Sequence, residues 1–242
     1  MEEYKERFYR RRVRPGGLVT FTVGVKETDL MVSAEKNLQK EARDLVLDAR
    51  HQIESYIRLC PDFLTALGPY PQDPYAPPLV REMIACTRQV GVGPMASVAG
   101  AVAQHVGEGL LRSTSQVIVE NGGDIFLKVG RRATVSIFAG PSPLSGKVGL
   151  VISPEAMPLG VCASSATVGH SFSAGAADAG CVVASCAALA DGAATALCNT
   201  IQGPKDLKGI GAWAEKTGGI LGAVVILGER LATWGDIELA AL

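Results

Sequence analysis

The chain has 242 residues, 48% of them hydrophobic but only 5% aromatic, and a formal net charge of -1. A core built from Ala, Val, Leu and Ile fits these totals, and near-neutral charge excludes a polyanion-binding role for the molecule as a whole. The start of the chain lacks the apolar run of a signal peptide, and no uninterrupted apolar run reaches membrane-spanning length, so a cytoplasmic protein with no membrane partner is expected.

Residues 5–14 read as a strand. Their basic side chains (Lys5, Arg7, Arg10, Arg11, Arg12 and Arg14) are interleaved with Glu2, Glu3 and Glu6. That pattern fits the solvated face of an edge strand better than a nucleic-acid contact, and no nucleic-acid partner is expected. Leu18–Val25 and Thr28–Ser33 read as two further strands, with a turn around Glu27. From Asn37, the residues Leu38, Ala42, Leu45, Val46, Ala49, Ile53, Tyr56 and Ile57 recur at helical spacing until Cys60-Pro61. Prolines 69, 71, 74, 77 and 78 make a stiff connector. Two more helices follow, at Leu79–Val90 and Pro94–Leu111. The second is rich in Ala and Gly, as close helix packing requires.

Strands are expected at Gln116–Glu120, Ile125–Val129, Thr134–Phe138, Val148–Ile152, Leu159–Cys162 and Cys181–Ser185. Helices follow at Leu189–Ile201 and Leu207–Thr217, then a strand at Leu221–Leu227 and a short pairing near Trp234. Paired helices between strand meanders argue for an α+β class, mainly antiparallel, with helices on one face. The strand–helix pair–strand rhythm occurs twice and suggests an internal duplication. The whole of residues 1–242 reads as one domain.

Three motifs could carry chemistry. Asn121-Gly122-Gly123-Asp124 lies between two apolar strands. Asn-Gly there is a hairpin signal, but a second glycine followed by Asp124 also suits a turn whose backbone amides hold a phosphate or whose surface lies beside a flat ring. In Ala190-Asp191-Gly192-Ala193-Ala194-Thr195-Ala196, a carboxylate and a hydroxyl share one helix face, a donor pair suited to Mg²⁺. The same residues also suit an Asp near a helix N-terminus and a Thr bonded back to a carbonyl. The loop Ser164–Ser173 carries His170, Ser171 and Ser173. It lacks a nucleophile elbow and reads as a set of hydrogen-bond donors or as a self-bonded loop. The six cysteines follow no zinc spacing and read as reduced, mostly buried thiols.

The first two motifs, in this order, resemble the ApbE-like superfamily, whose best-known members are FAD:protein FMN transferases. The run Gly93–Gly100 and the His170 loop resemble a smaller cytoplasmic branch with the ApbE-like fold. The resemblance covers about Pro94 to Gln202. It implies a T-fold-like α+β architecture and a pocket for FAD, FMN or another small phosphorylated ligand. Asn121, Gly122, Gly123, Asp124, Ser171 and Ser173 would line that pocket. It further implies Mg²⁺ on Asp191 and Thr195 in an FMN-transfer reaction. His170 and Asp191 are the catalytic candidates, and the apolar-rich composition suits a subunit interface, so a homodimer is expected. The chain departs from the family pattern in lacking a lysine at the start of the Pro94–Leu111 helix and in carrying His170-Ser171-Phe172-Ser173 where a D-P-x-T-G segment stands. These departures open a second reading in which the pocket is kept and the transfer reaction is lost. Two further readings stand beside it: a non-catalytic binding or assembly protein, and a sulfur-assimilation role in anaerobic metabolism using a reactive cysteine.

Overall fold

Strand β1 (Val19–Val25) and strand β2 (Thr28–Ala34) form the first hairpin of a computed structural model that describes residues 10, 16–165 and 175–242. Asn37 then opens helix α1 (Gln39–Leu59), its Oδ1 accepting the Gln39 amide at 2.9 Å. The helix buries Ala42, Val46, Ala49, Ile53 and Tyr56, the 4-3-4-3 stripe expected from the sequence. A single turn, α2 (Asp62–Thr65), precedes the proline connector. Helix α3 (Pro78–Val90) starts on Pro78, whose missing amide hydrogen costs nothing in a first turn. The expected helix from Pro94 divides into a 3-10 turn at Pro94–Ser97 and helix α4 (Val98–Leu110).

Strands β3 (Val117–Asn121), β4 (Asp124–Lys128), β5 (Ala133–Ser136), β6 (Val148–Ile152), β7 (Leu159–Ser164) and β8 (Ala179–Ala184) follow. Helix α5 (Ala187–Thr200) leads to a 3-10 turn at Asp206–Gly209 and the short α6 (Ile210–Ala214). The long helix expected at Leu207–Thr217 is therefore only partly α-helical. Strands β9 (Ile220–Leu227), β10 (Arg230–Gly235) and β11 (Glu238–Ala241) complete the order. The expected strand at residues 5–14 lies outside the described residues except for Arg10, which donates to Asp29 at 2.9 Å and Glu120 at 2.6 Å.

The main sheet has eight strands in the order β1-β2-β3-β4-β7-β8-β9-β10, every neighbouring pair antiparallel. Strands β5 and β6 leave it and join β11 in a three-stranded sheet. Side chains alternate across the main sheet, so each face has its own core. On one face Val32, Val119, Phe126 and Val182 pack under the helices. On the other, Leu127, Leu159, Val161 and Val224 meet Leu150 and Ile152 of the small sheet.

Helix α5 is buried almost all round, against β7 and β8 on one side and α3 and α4 on the other. The glycines that face it on β7 and β8 are a packing requirement. A Cβ on Gly160 would stand 2.3 Å from the Ala187 Cα, and one on Gly180 would stand 2.5 Å from the Cys198 Sγ. No helix among the described residues is long and apolar enough to cross a membrane.

Candidate functional site

Asn121 and Asp124 are the last pair of the β3–β4 hairpin. The two residues between them, Gly122 and Gly123, have φ of 70° and 109°, a region that only glycine enters cheaply. Strand alternation turns Glu120 to one face and Asn121 and Asp124 to the other, toward the helices. Glu120 sets the turn, because its Oε1 accepts the Gly123 amide at 3.0 Å while its Oε2 takes Arg10. The Gly123 amide, expected to face a ligand, is thus already used. What stays open is space: a Cβ added at Gly123 would meet nothing within 4 Å.

Asp191 projects from the second turn of α5. Its Oδ2 accepts the Gly100 amide at 2.8 Å. Gly100 is the third residue of α4, so Asp191 satisfies an amide that the start of a helix leaves without an intrahelical partner. Asn121 Nδ2 donates to the Ala99 carbonyl at 3.1 Å, one residue away. The two sequence motifs therefore converge on Ala99–Gly100. The approach is tight: a Cβ on Gly100 would lie 2.2 Å from the Ala187 carbonyl oxygen and 2.8 Å from the Asp191 Cβ.

The two carboxylates feel each other. Burial, then the charge of Asp191, holds Asp124 well above the usual carboxylate range; the Cys162 thiol and the Ala163 amide oppose that rise. Burial pushes Asp191 up to about 7, against the stabilising amides of Gly100 and Ala99. Asp191 still keeps partial solvent access, whereas Asp124 is buried and its Oδ1 has no hydrogen-bond partner. Among the described residues no Lys or Arg makes an ion pair with either carboxylate. Thr195, one helical turn beyond Asp191, is buried.

The described residues hold no group of three or more His, Cys, Asp and Glu arranged around a metal. Two carboxylates and one hydroxyl are still a donor set that suits Mg²⁺, which keeps several waters and needs only one or two protein carboxylates. The orphaned Asp124 Oδ1 and the uncompensated charge both fit a divalent cation. His170, Ser171 and Ser173 lie outside the described residues. The Ser164 Oγ, just before that segment, is buried without a hydrogen-bond partner among the described residues. A separate groove along Ala176, Gln202, Gly203, Leu227, Gly228 and Arg230 includes neither Asp124 nor Asp191.

The sequence marks Gly100 for close packing and Cys162 as a thiol, but no local pattern assigns the Ala99 carbonyl, the Gly100 amide or the Cys162 thiol to this site. Gln104 leaves a signal, as a polar residue in an apolar helix. Its Oε1 accepts the Ala187 and Ala188 amides at 2.7 and 3.4 Å, and its Nε2 donates to Glu82 and Glu108. It thereby satisfies the first amides of α5 and fixes the end of the helix that carries Asp191.

The family model described as AbpE bacteria matches residues 10–228. A UPF0280 protein of Methanosphaerula palustris is 40% identical over 217 residues, covering 88% of this chain and 89% of that protein. A UPF0280 protein of Methanothermobacter thermautotrophicus is 40% identical over 224 residues, covering 88% and 87%. Among solved structures, the flavinyl transferase ApbE of Pseudomonas stutzeri superposes with a TM-score of 0.55 at 15% identity, over 90% of this chain and 93% of that one. The ApbE protein of Thermotoga maritima gives 0.54 at 10% identity, over 90% and 97%. The likeness to these structures is one of fold, while the matches in sequence are to archaeal proteins of similar length. The chain belongs to the AbpE bacteria family, as a member of a small archaeal-type branch of the ApbE-like superfamily.

Proposed function

We propose that this chain binds a flavin nucleotide beside a divalent cation and carries out a Mg²⁺-dependent transfer at the flavin's phosphate, the reaction class suggested by its flavinyl transferase neighbours. The observation that carries this reading is the Asp124–Asp191 pair, with Asp124 buried, its Oδ1 unpartnered and no cationic side chain to balance either carboxylate among the described residues. Asp191, Thr195 and the free oxygen of Asp124 would hold the cation. A bound Mg²⁺ supplies Lewis-acid polarisation of a pyrophosphate oxygen. The Gly100 amide fixes the second oxygen of Asp191 and so aims the first. Asn121 anchors the Gly122–Gly123 turn against α4, and the open space beside Gly123 leaves room for a flat ring. His170, Ser171 and Ser173 would supply hydrogen bonds to phosphate oxygens, with His170 as the proton carrier.

The test is a titration of purified protein with FAD, with Mg²⁺ and with chelator, following the flavin spectrum and thermal shift. Mg²⁺-dependent binding is expected in the wild type. It should weaken by about tenfold or more, roughly 1.4 kcal/mol, in Asp191→Asn. Metal-free Asp191→Asn should be at least as stable as the wild type, because Asn keeps an acceptor for Gly100 and removes a carboxyl whose ionised form burial disfavours. Unchanged flavin spectra and melting temperature in the wild type would sink the proposal.

A binding role without turnover is the second reading. It is favoured by the Gly123 amide being occupied by Glu120 and by the absence of a lysine near Pro94. Release of AMP from FAD in the presence of an acceptor hydroxyl separates the two.

A further inference from the structure

Cys86 and Cys186 stand 100 positions apart in sequence, yet their sulfurs are 3.9 Å apart. Cys86 lies in the penultimate turn of α3 and is buried. Cys186 is the residue that precedes α5, in extended conformation with φ -146° and ψ 153°, and is half-buried, the less enclosed residue of the two. Neither sulfur is in a disulfide. A disulfide needs S–S ≈ 2.05 Å, so the two must approach by roughly 2 Å. Cys186 is outside the regular helix and can adjust its backbone and χ1 to do this.

The pair is polarised. Cys186 makes no side-chain capping hydrogen bond, but its sulfur sits at the N-terminus of α5, where backbone amides favour negative charge. The contact with Cys86 lowers the Cys186 thiol first, and the Leu189 amide lowers it further against the desolvation that raises it. The same contact, and then burial, raise Cys86, with a smaller contribution from the charge of Glu82. The place of Cys186 at the helix start and its lesser burial favour it as the attacking sulfur, with Cys86 beside it to resolve a mixed disulfide. The deeper thiols differ: burial drives Cys162 well up and pushes Cys181 and Cys198 up to about 12.

We propose that Cys86 and Cys186 are a reactive dithiol that exchanges with low-molecular-weight disulfides and closes to a bond between α3 and the start of α5. The Cys186 thiolate attacks one sulfur of the small disulfide. A protein–small-molecule S–S bond forms, the original S–S bond breaks, and one small thiolate leaves and takes a proton from solvent. Cys86 then gives up its proton and attacks the Cys186 sulfur, which expels the second small thiol. Two protein thiols are oxidised by two electrons in all, and one small disulfide is reduced to two thiols. Closure ties down the end of α5 five residues before Asp191. Only that last consequence rests on the proposed metal site; the exchange does not.

The experiment incubates native full-length protein with oxidised glutathione, quenches with acid, blocks free thiols with N-ethylmaleimide in denaturant, and maps the peptides by mass spectrometry. The wild type should yield a Cys86–Cys186 linked peptide and a higher melting temperature than its reduced form. Cys86→Ser should accumulate glutathione on Cys186, and Cys186→Ser should leave Cys86 fully alkylated. Full alkylation of both cysteines in oxidised wild type would overturn the proposal, and so would a link that forms only in urea-unfolded protein. The wild-type map decides alone if a variant fails to fold, and flavin or metal binding plays no part in this readout.

Discussion

Gly100 is where packing and the candidate site meet. Its missing side chain lets α4 reach α5 so closely that its own amide serves Asp191. Gly100→Ala would force a Cβ into the Ala187 carbonyl and the Asp191 Cβ. Overpacking of this kind costs about 1–3 kcal/mol, because two buried helices must separate. Urea unfolding should show that loss, and Mg²⁺-dependent flavin binding should weaken with it as Asp191 is displaced. A stability equal to wild type would mean that α4 and α5 yield without cost. At this scale the Asn121–Asp124 turn and the place of Asp191 on its helix were legible, because Asn-Gly turns and helical spacing are local patterns; Thr195 stands only as a buried residue one turn beyond Asp191. Gly100 was legible as a close-packing residue, but its amide's contact with Asp191, and the parts of Ala99 and Cys162, exist only once distant segments touch.

Between elements, Glu35 holds the end of β2 to the α4–β3 connection. Its carboxylate accepts Thr114 Oγ1 at 2.8 Å, the Ser115 amide at 2.8 Å and Ser115 Oγ at 2.9 Å. The Ser115 amide, followed by the two hydroxyls, lowers its pKa from 4.5 to about 2. A folded-state pKa below the unfolded one gives stability that is present above the unfolded value and lost as pH falls through the folded value. The melting temperature of the wild type should exceed that of Glu35→Gln at neutral pH. The gap should narrow between pH 4.5 and about 2, as scanning calorimetry across that range would show. A gap independent of pH would mean that the site works by shape alone. The elements were mostly legible. The α1 stripe and the Asn37 start follow from period and capping, and β6 falls at Val148–Ile152 as expected. The 207–217 segment was misread in length, because its apolar residues suit both a 3-10 turn and an α-helix, and only contact with β9 and β10 separates them.

At the scale of the whole molecule, Asn121 and Asp124 face the helices on one side of the main sheet, and a separate core fills the other side. Leu150, fully buried in that second core, pairs with Leu239 of β11. Leu150→Ala should cost about 2–5 kcal/mol through lost burial and the cavity left behind. Chemical denaturation would measure that cost, and flavin or metal affinity below the unfolding transition should be unchanged. Weakened affinity would show that the two faces are coupled.

By itself the sequence determined the α+β class, the antiparallel strands, the helices on one face and the two motifs that flank the site. Each of these is written in residues close together in the chain, as period, turn chemistry and small-residue packing. Tertiary structure alone decided that β4 pairs with β7 and that β5 and β6 leave to join β11. It also decided that Asn121 and Asp191 meet at Ala99–Gly100 and that Cys86 meets Cys186 across 100 positions. Those outcomes depend on which distant surfaces bury each other, and a hydrophobic pattern says that a face must be covered without saying by what.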